Sequence, residues 1–238
     1  MTALRSQECT IAGLTALRVG DPAQARAQVV LLHGYAMRPE DLEPFSHSLG
    51  IPAVFYFPRG PREVAPNARA WWPIDEERRS RQLAAGPRDL HEEFPPGRLA
   101  ARTTLCGFLD AIRGQATELP LILGGFSQGG MLACDTVLSE RQPVSGLVLL
   151  SSSRIAFSEW LTHRETLAGL PVFISHGHND NDLAFGAGEA LRDFHVESRA
   201  RVTWLPFEGG HEIPLVVWRA LRRFLADLGR KTGHAPDV

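Results

Sequence analysis

Cysteine is scarce in this chain of 238 residues: Cys9, Cys106 and Cys134 are an odd three with no C-x-x-C spacing. That excludes a disulfide framework and a zinc ribbon, and reads instead as small buried hydrophobes in a reducing compartment. A charge excess is missing too. Lys and Arg total 25 against 27 for Asp and Glu, a formal net charge of −2, so nothing here favours binding of nucleic acid or of an anionic membrane. Apolar runs such as Ile51 to Phe57 and Leu147 to Leu150 fall far short of the roughly 18 residues of a membrane helix. Arg5, Ser6, Gln7 and Glu8 break up the first ten residues, which therefore lack the apolar segment of about 7 to 15 residues that an export signal needs. The expectation is a cytoplasmic protein. No repeat, low-complexity tract or linker divides the sequence, so residues 1–238 are expected to form a single domain.

What is present is an alternation. Val29 to Leu32, Ala53 to Phe57, Leu121 to Leu123, Val144 to Leu150, Val172 to Ile174 and Val202 to Leu205 are short apolar or β-branched runs, which read as buried strands. Between and after the later ones lie helical spacings: Leu105, Leu109 and Ile112; Ala187, Leu191 and Phe194; and Val217, Leu221, Phe224 and Leu228. Parallel neighbours need a crossover, usually a helix, so the class is α/β: a mostly parallel central sheet with helices on both faces. Residues 58–97 stand apart, with seven prolines, an arginine cluster at Arg78, Arg79 and Arg81, and no clear strand signal. They read as an excursion over one end of the sheet.

Chemistry concentrates after the strand at Leu121 to Leu123, in Gly124-Gly125-Phe126-Ser127-Gln128-Gly129-Gly130 followed by a helical pattern. This is G-x-S-x-G between strand and helix. There a sharp turn strains the serine and presents its hydroxyl, and side chains two positions to either side would collide. A dinucleotide fingerprint and a P-loop lysine are both absent. A serine hydroxyl needs a base. In this chain order the base is the last member, which leaves His195, His211 and His234. His195 follows Phe194 in a helix and reads as a surface residue, and His234 lies in a polar tail. His211 follows a strand and Glu208-Gly209-Gly210, which puts it on a loop at the carboxyl edge of the sheet.

The acid that orients the imidazole belongs on another loop of that edge, and only Asp180 and Asp182 directly follow a strand. Asp180 is preferred, with Asp182 the alternative. The same segment carries His176, His178, Asp180 and Asp182 in alternation, which is the rival reading of a metal-dependent hydrolase, although one loop rarely supplies a whole catalytic metal site. For the oxyanion, the backbone N–H groups of Gln128 and of Tyr35, after Leu32-His33-Gly34, are the expected donors. His33 reads as a histidine hydrogen-bonded within its own loop.

With these pieces assembled, residues from about Val29 to Leu225 resemble the phospholipase/carboxylesterase family of α/β-hydrolases, which includes acyl-protein thioesterases. The resemblance rests on Leu32-His33-Gly34 with Asp41-Leu42, Phe57-Pro58-Arg59, Trp71-Trp72-Pro73-Ile74-Asp75, Gly125 to Gly130, His176-Gly177 with Asp180, and Gly210-His211-Glu212-Ile213. It implies the α/β-hydrolase fold, with nucleophile, acid and base at Ser127, Asp180 and His211 and oxyanion donors at Tyr35 and Gln128. Two departures stand out: Ala36 takes the place of a usual glycine, and Asp182-Leu183-Ala184 replaces an apolar pair and a proline.

The expected function is hydrolysis of carboxylic esters, or of thioesters, with small to medium acyl chains through an acyl-enzyme on Ser127, without a cofactor. A non-catalytic binding protein of the same fold is the third reading. The substrate is a small molecule rather than nucleic acid, and a homodimer is left open. Loops beside the strand ends bring Trp71, Trp72, Phe157 and Trp160 forward as walls of a shallow acyl slot.

Overall fold

In the computed structural model, which describes residues 6–231, alternate residues of the strand Gln28–Leu32 enter two separate apolar layers. Val30 and Leu32 join one layer while Val29 and Leu31 join the other. Leu147 and Leu149 likewise part from Val148 and Leu150 in the strand Gly146–Leu150. A period of two on a strand buried on both faces is what a sheet sandwiched between helices requires.

In chain order the strands are β1 (Ser6–Ile11), β2 (Leu14–Val19), β3 (Gln28–Leu32), β4 (Val54–Pro58), β5 (Arg62–Ala65), β6 (Ala68–Ala70), β7 (Leu121–Phe126), β8 (Gly146–Leu150), β9 (Pro171–Gly177) and β10 (Arg201–Phe207). Eight of them form one sheet in the order β1-β2-β4-β3-β7-β8-β9-β10. The first two pairings, β1 with β2 and β2 with β4, are antiparallel and the rest are parallel. The helices are α1 (Glu43–Leu49), α2 (Glu76–Ala85), α3 (Arg98–Gln115), α4 (Gln128–Ser139), α5 (Phe157–Leu161), α6 (Phe185–Glu197) and α7 (Leu215–Lys231). Leu105 of α3, Leu132 of α4 and Leu191 of α6 share one apolar layer; Leu49 of α1 and Leu221 of α7 share the other. The expected mostly parallel sheet with helices on both faces is the observed one.

Two parts of the chain differ from their sequence reading. The hairpin β1–β2 was not expected; it turns at Ala12 and Gly13, both at positive φ (48° and 80°), as a two-residue hairpin turn demands, and lengthens the sheet by two antiparallel strands. Residues 58–97 were expected to hold no strand, yet they contain the antiparallel ribbon β5–β6 and the helix α2. Neither announces itself: β5 is largely exposed and α2 buries no residue, so no apolar periodicity marks them. A cap starts α2, where the Asp75 carboxylate accepts the Arg78 amide at 2.9 Å. Among the described residues no helix is long and apolar enough to cross a membrane.

Candidate active site

From β3 the chain goes to β4 on one side, while β7 pairs on the other. A crevice opens at such a reversal, at the carboxyl ends of the parallel strands. Tyr35 lies just past the end of β3, Ser127 directly follows β7, Asp180 lies past β9 and His211 past β10. Four loops from distant parts of the sequence therefore meet at one edge because every one leaves a parallel strand in the same sense. Two backbone bonds stitch the last two together: the His178 amide donates to the Phe207 carbonyl and the Asn179 amide to the Gly209 carbonyl, each at 2.9 Å.

Ser127 stands at φ 51° and ψ −118°, a conformation that costs a non-glycine residue about 1 to 3 kcal/mol. The turn is as tight as the sequence pattern implied. A Cβ on Gly125 would lie 2.5 Å from the Gly129 carbonyl carbon, and one on Gly129 would lie 2.3 Å from the Leu32 oxygen. The Ser127 amide donates to the Leu150 carbonyl at 2.9 Å, and its carbonyl accepts the Met131 amide at 3.1 Å, so strand and helix both hold the strained residue. The turn presents Ser127 to a cavity, and the residue is only 8% exposed.

His211 lines the same cavity. Its Nδ1–H donates to Asp180 Oδ2 at 2.7 Å, which leaves Nε2 with a lone pair able to take a proton. The other Asp180 oxygen accepts the amides of Asp182 at 2.8 Å and Leu183 at 2.9 Å. Burial pushes the Asp180 carboxyl upward; the hydrogen bond and charge of His211 and the two amides outweigh it and hold the group below its usual range. Asp182 does not face His211. It receives Arg79 Nη2 at 3.0 Å and Arg88 Nη2, so its carboxylate is committed to an ion pair.

The alternating histidines and aspartates at the end of β9 and in the loop after it do not gather into one cluster either, although His176 Nε2 lies 3.3 Å from Asp180 Oδ2. His176 is buried, donates from Nε2 to the Leu183 carbonyl at 3.0 Å, and is held below its usual pKa by burial. His178 packs its ring against Phe185 at 4.2 Å, and the two aspartates are engaged as described. Among the described residues no three groups of metal-ligating type come together, and the metal-dependent reading has no site to stand on.

Of the other histidines, His195 departs from its reading. His195 was read as a surface residue but is fully buried, bonded through Nδ1 to the Leu191 carbonyl at 2.8 Å, with burial pushing its pKa down to about 4. It lies one helical turn from Leu191, and that i, i+4 spacing was the available signal. His234 lies outside the described residues. His33 donates from Nδ1 to the Gly34 carbonyl at 2.7 Å, as a loop histidine should, and also accepts the Gly60 amide on Nε2 at 2.9 Å. Burial holds it at about 4, so it is neutral and ties the loop after β3 to the start of the excursion.

Tyr35 and Gln128 both line the cavity, next to Ser127. Ala36, where the resembling family usually has glycine, takes a left-handed conformation at φ 56°. Sequence reasoning used only the backbone of Gln128 and missed its side chain. That amide is buried, accepts the Trp71 amide at 2.8 Å and donates to the Trp72 carbonyl at 3.0 Å, clamping the residue after Ser127 to the excursion. Partners 56 and 57 residues away carry no local signal.

Of the four aromatics expected to wall the slot, only Trp72 lines the cavity. Trp71 is buried away from its lining, stacked on His33 at 5.3 Å with its indole N–H donating to the His33 carbonyl at 2.9 Å. Phe157 packs edge-on against Phe194 at 5.2 Å. Trp160 is fully buried and donates to Asp135 at 2.8 Å, inside a buried ion pair that Asp135 makes with Arg98. The cavity holds about 620 Å³ and is lined in part by α2 and by the segment from Arg88 to Pro96.

A strained serine between a parallel strand and a helix, with a carboxylate-held imidazole from a later loop of the same sheet edge, defines the α/β-hydrolase fold class. Residues 113–228 match the family model described as Phospholipase/Carboxylesterase. Acyl-protein thioesterase 1 of Neurospora crassa is 29% identical over 111 residues, 45% of this chain and 45% of that one. The enzyme of that name from Cryptococcus neoformans is 33% identical over 88 residues, 34% of each chain. The aligned stretches thus span less than half the length of these relatives. Among solved structures, esterase PE8 superposes with a TM-score of 0.73 at 23% identity, covering 95% of this chain and 100% of its own. A carboxylesterase from Mesorhizobium loti gives 0.73 at 20% identity, covering 93% and 98%. The resemblance to the phospholipase/carboxylesterase family is shown over residues 113–228, and the α/β-hydrolase fold over nearly the whole chain.

Proposed function

We propose that the chain is a serine hydrolase that cleaves carboxylic esters, or thioesters, through an acyl-enzyme on Ser127. The observation that carries this reading is the 2.7 Å bond from His211 Nδ1 to Asp180 in the cavity that Ser127 lines from a strained elbow. In this reading His211 Nε2 takes the Ser127 proton as the oxygen attacks the carbonyl carbon, and Asp180 holds the ring and stabilises its charged form. The negative charge that develops on the carbonyl oxygen is met by the backbone N–H groups of Tyr35 and Gln128. Collapse of the tetrahedral intermediate breaks the bond to the alkoxide or thiolate, which leaves with the proton from His211. Water, deprotonated by the same imidazole, then releases the acid and restores the serine.

The substrate is a small-molecule ester or thioester with a small to medium acyl chain, and the reaction takes place in a reducing compartment such as the cytoplasm, which the three unpaired cysteines favour. The test is hydrolysis of p-nitrophenyl butyrate and of a butyryl thioester by the wild type and by Ser127→Ala. The wild type should turn over at least one, with the variant at background and folded. Full activity in the variant overturns the mechanism.

A further inference from the structure

Three arginines, Arg78, Arg79 and Arg88, line the cavity that holds Ser127 and His211. Arg78 is answered by Glu93, and the carboxylate of Asp75 is turned to the first turn of α2. Arg79 and Arg88 converge instead on a single carboxylate, that of Asp182, so two positive charges meet one negative charge there. Arg79 also reaches Glu76 at 3.5 Å, but that carboxylate is more than half exposed and contributes little.

Both guanidinium groups line the cavity, the Arg79 side chain 28% exposed and that of Arg88 9%. Each also has an Nε–H that is buried without a hydrogen-bond partner, which a shift of the side chain onto a bound anion would satisfy. A buried donor left unmade costs free energy, more so when it is charged. Arg88 is also fixed in place: its amide donates to the Asp182 carbonyl at 3.0 Å and its carbonyl accepts the Ala184 amide at 2.9 Å. The Asp182 amide in turn binds Asp180, so the arginine pair is anchored to the loop that carries the acid of the site. Arg79 lies with its guanidinium carbon 5.9 Å from the centre of the Tyr35 ring, beside the loop that supplies one oxyanion donor.

We propose that Arg79 and Arg88 form an anion subsite that takes a carboxylate or phosphate group carried by the substrate, away from the bond that is cleaved. This rests on the hydrolase reading of Ser127 and names its substrate class: anionic esters or thioesters rather than plain neutral acyl chains. The fork of a guanidinium suits the paired oxygens of such a group, and a charge-assisted pair of hydrogen bonds is stronger than neutral ones.

Two ester series separate the sources of the anion. In one the acyl part carries it, as monomethyl esters of four- to eight-carbon dicarboxylic acids, each compared with its dimethyl ester. In the other the alcohol part carries it, as the acetate ester of a hydroxyalkyl phosphate compared with the dimethyl phosphate triester. In at least one series the anion should raise kcat/KM by about tenfold or more, the value of one charge-assisted hydrogen bond. Arg88→Gln and Arg79→Gln should each bring that ratio close to one, with Arg88→Lys between. The series that shows the preference identifies the anion's position. Equal or faster cleavage of the neutral esters in both series by the wild type, with a fluorophosphonate labelling Ser127, overturns the subsite and leaves the hydrolase reading intact. No cleavage of any ester and no label on Ser127 overturns both.

Discussion

Replacing Asp180 by asparagine exchanges one carboxylate oxygen for an amide NH2 and leaves the shape of the side chain alone. In the wild type one oxygen receives His211 Nδ1–H at 2.7 Å and the other receives two amides at 2.8 and 2.9 Å. The asparagine oxygen can serve only one of these two sets. If it stays on the amides, its NH2 faces His211 Nδ1, and the ring must carry its proton on Nε2, where the lone pair for Ser127 is needed. If it flips, the NH2 opposes two backbone donors instead. Charge on the imidazolium is also left unbalanced. A triad aspartate exchanged in this way loses about ten-thousandfold in kcat, close to 5 kcal/mol of barrier. We expect a fall of that order for Asp180→Asn on p-nitrophenyl butyrate, with KM within a few fold. Asp182→Asn, whose carboxylate faces Arg79 and Arg88, should fall by no more than about tenfold on the same neutral ester. The opposite ranking, or an Asp180→Asn variant within tenfold of wild type, refutes the assignment of the acid.

Across neutral p-nitrophenyl esters kcat/KM should rise from acetyl by up to about fourfold per methylene, the value of about 0.8 kcal/mol of burial, and then flatten once the cavity is full. A rise that continues through sixteen carbons, measured below micelle-forming concentrations, contradicts a slot of that limited volume. Gln128→Leu should lower both stability, by about 2 kcal/mol or more, and kcat, because it orphans the buried Trp71 amide and Trp72 carbonyl; urea unfolding together with kcat tests this, and an unchanged midpoint and rate refutes the clamp. Acid should destabilise the fold before it protonates ordinary carboxylates, because His33 and His195 are both held at about 4 by burial. Below pH 6.5 the unfolded chain binds protons that the folded chain refuses, so stability present above 6.5 is lost towards pH 4, at up to about 1.4 kcal/mol per pH unit for each group. Urea midpoints of Ser127→Ala between pH 7.5 and 4.5 should fall accordingly, and a flat profile refutes it.

Most of what the sequence spelled out is where burial is complete; β10 is the exception, legible from its apolar run Val202 to Leu205 but only partly buried rather than the buried strand expected. β3, β4, β8 and β9 are apolar on both faces, and Gly125 and Gly129 are dictated by collisions of about an atom's width. What escaped was built from exposed or distant partners. The strand β1 lies at a sheet edge with one face in solvent, and α2 has no apolar stripe at all. The Asp180 and His211 pairing followed from chain order, since each follows a strand end, and Asp180 was already preferred; the ion pairs that occupy Asp182 instead, with Arg79 and Arg88, 103 and 94 residues away in sequence, carried no local signal. The aromatic wall failed for a similar reason. Trp71 and Trp160 each have an indole N–H that finds a buried acceptor, and a tryptophan so satisfied packs inward rather than towards a cavity.

The central claim is that Ser127 is the nucleophile, and active-site labelling tests it most directly. Wild type treated with a fluorophosphonate, digested and read by mass spectrometry, should carry one adduct on the peptide containing Ser127, with Asp180→Asn labelled far more slowly and Ser127→Ala not at all. An adduct on another residue, or none under conditions in which the wild type hydrolyses esters, contradicts the account.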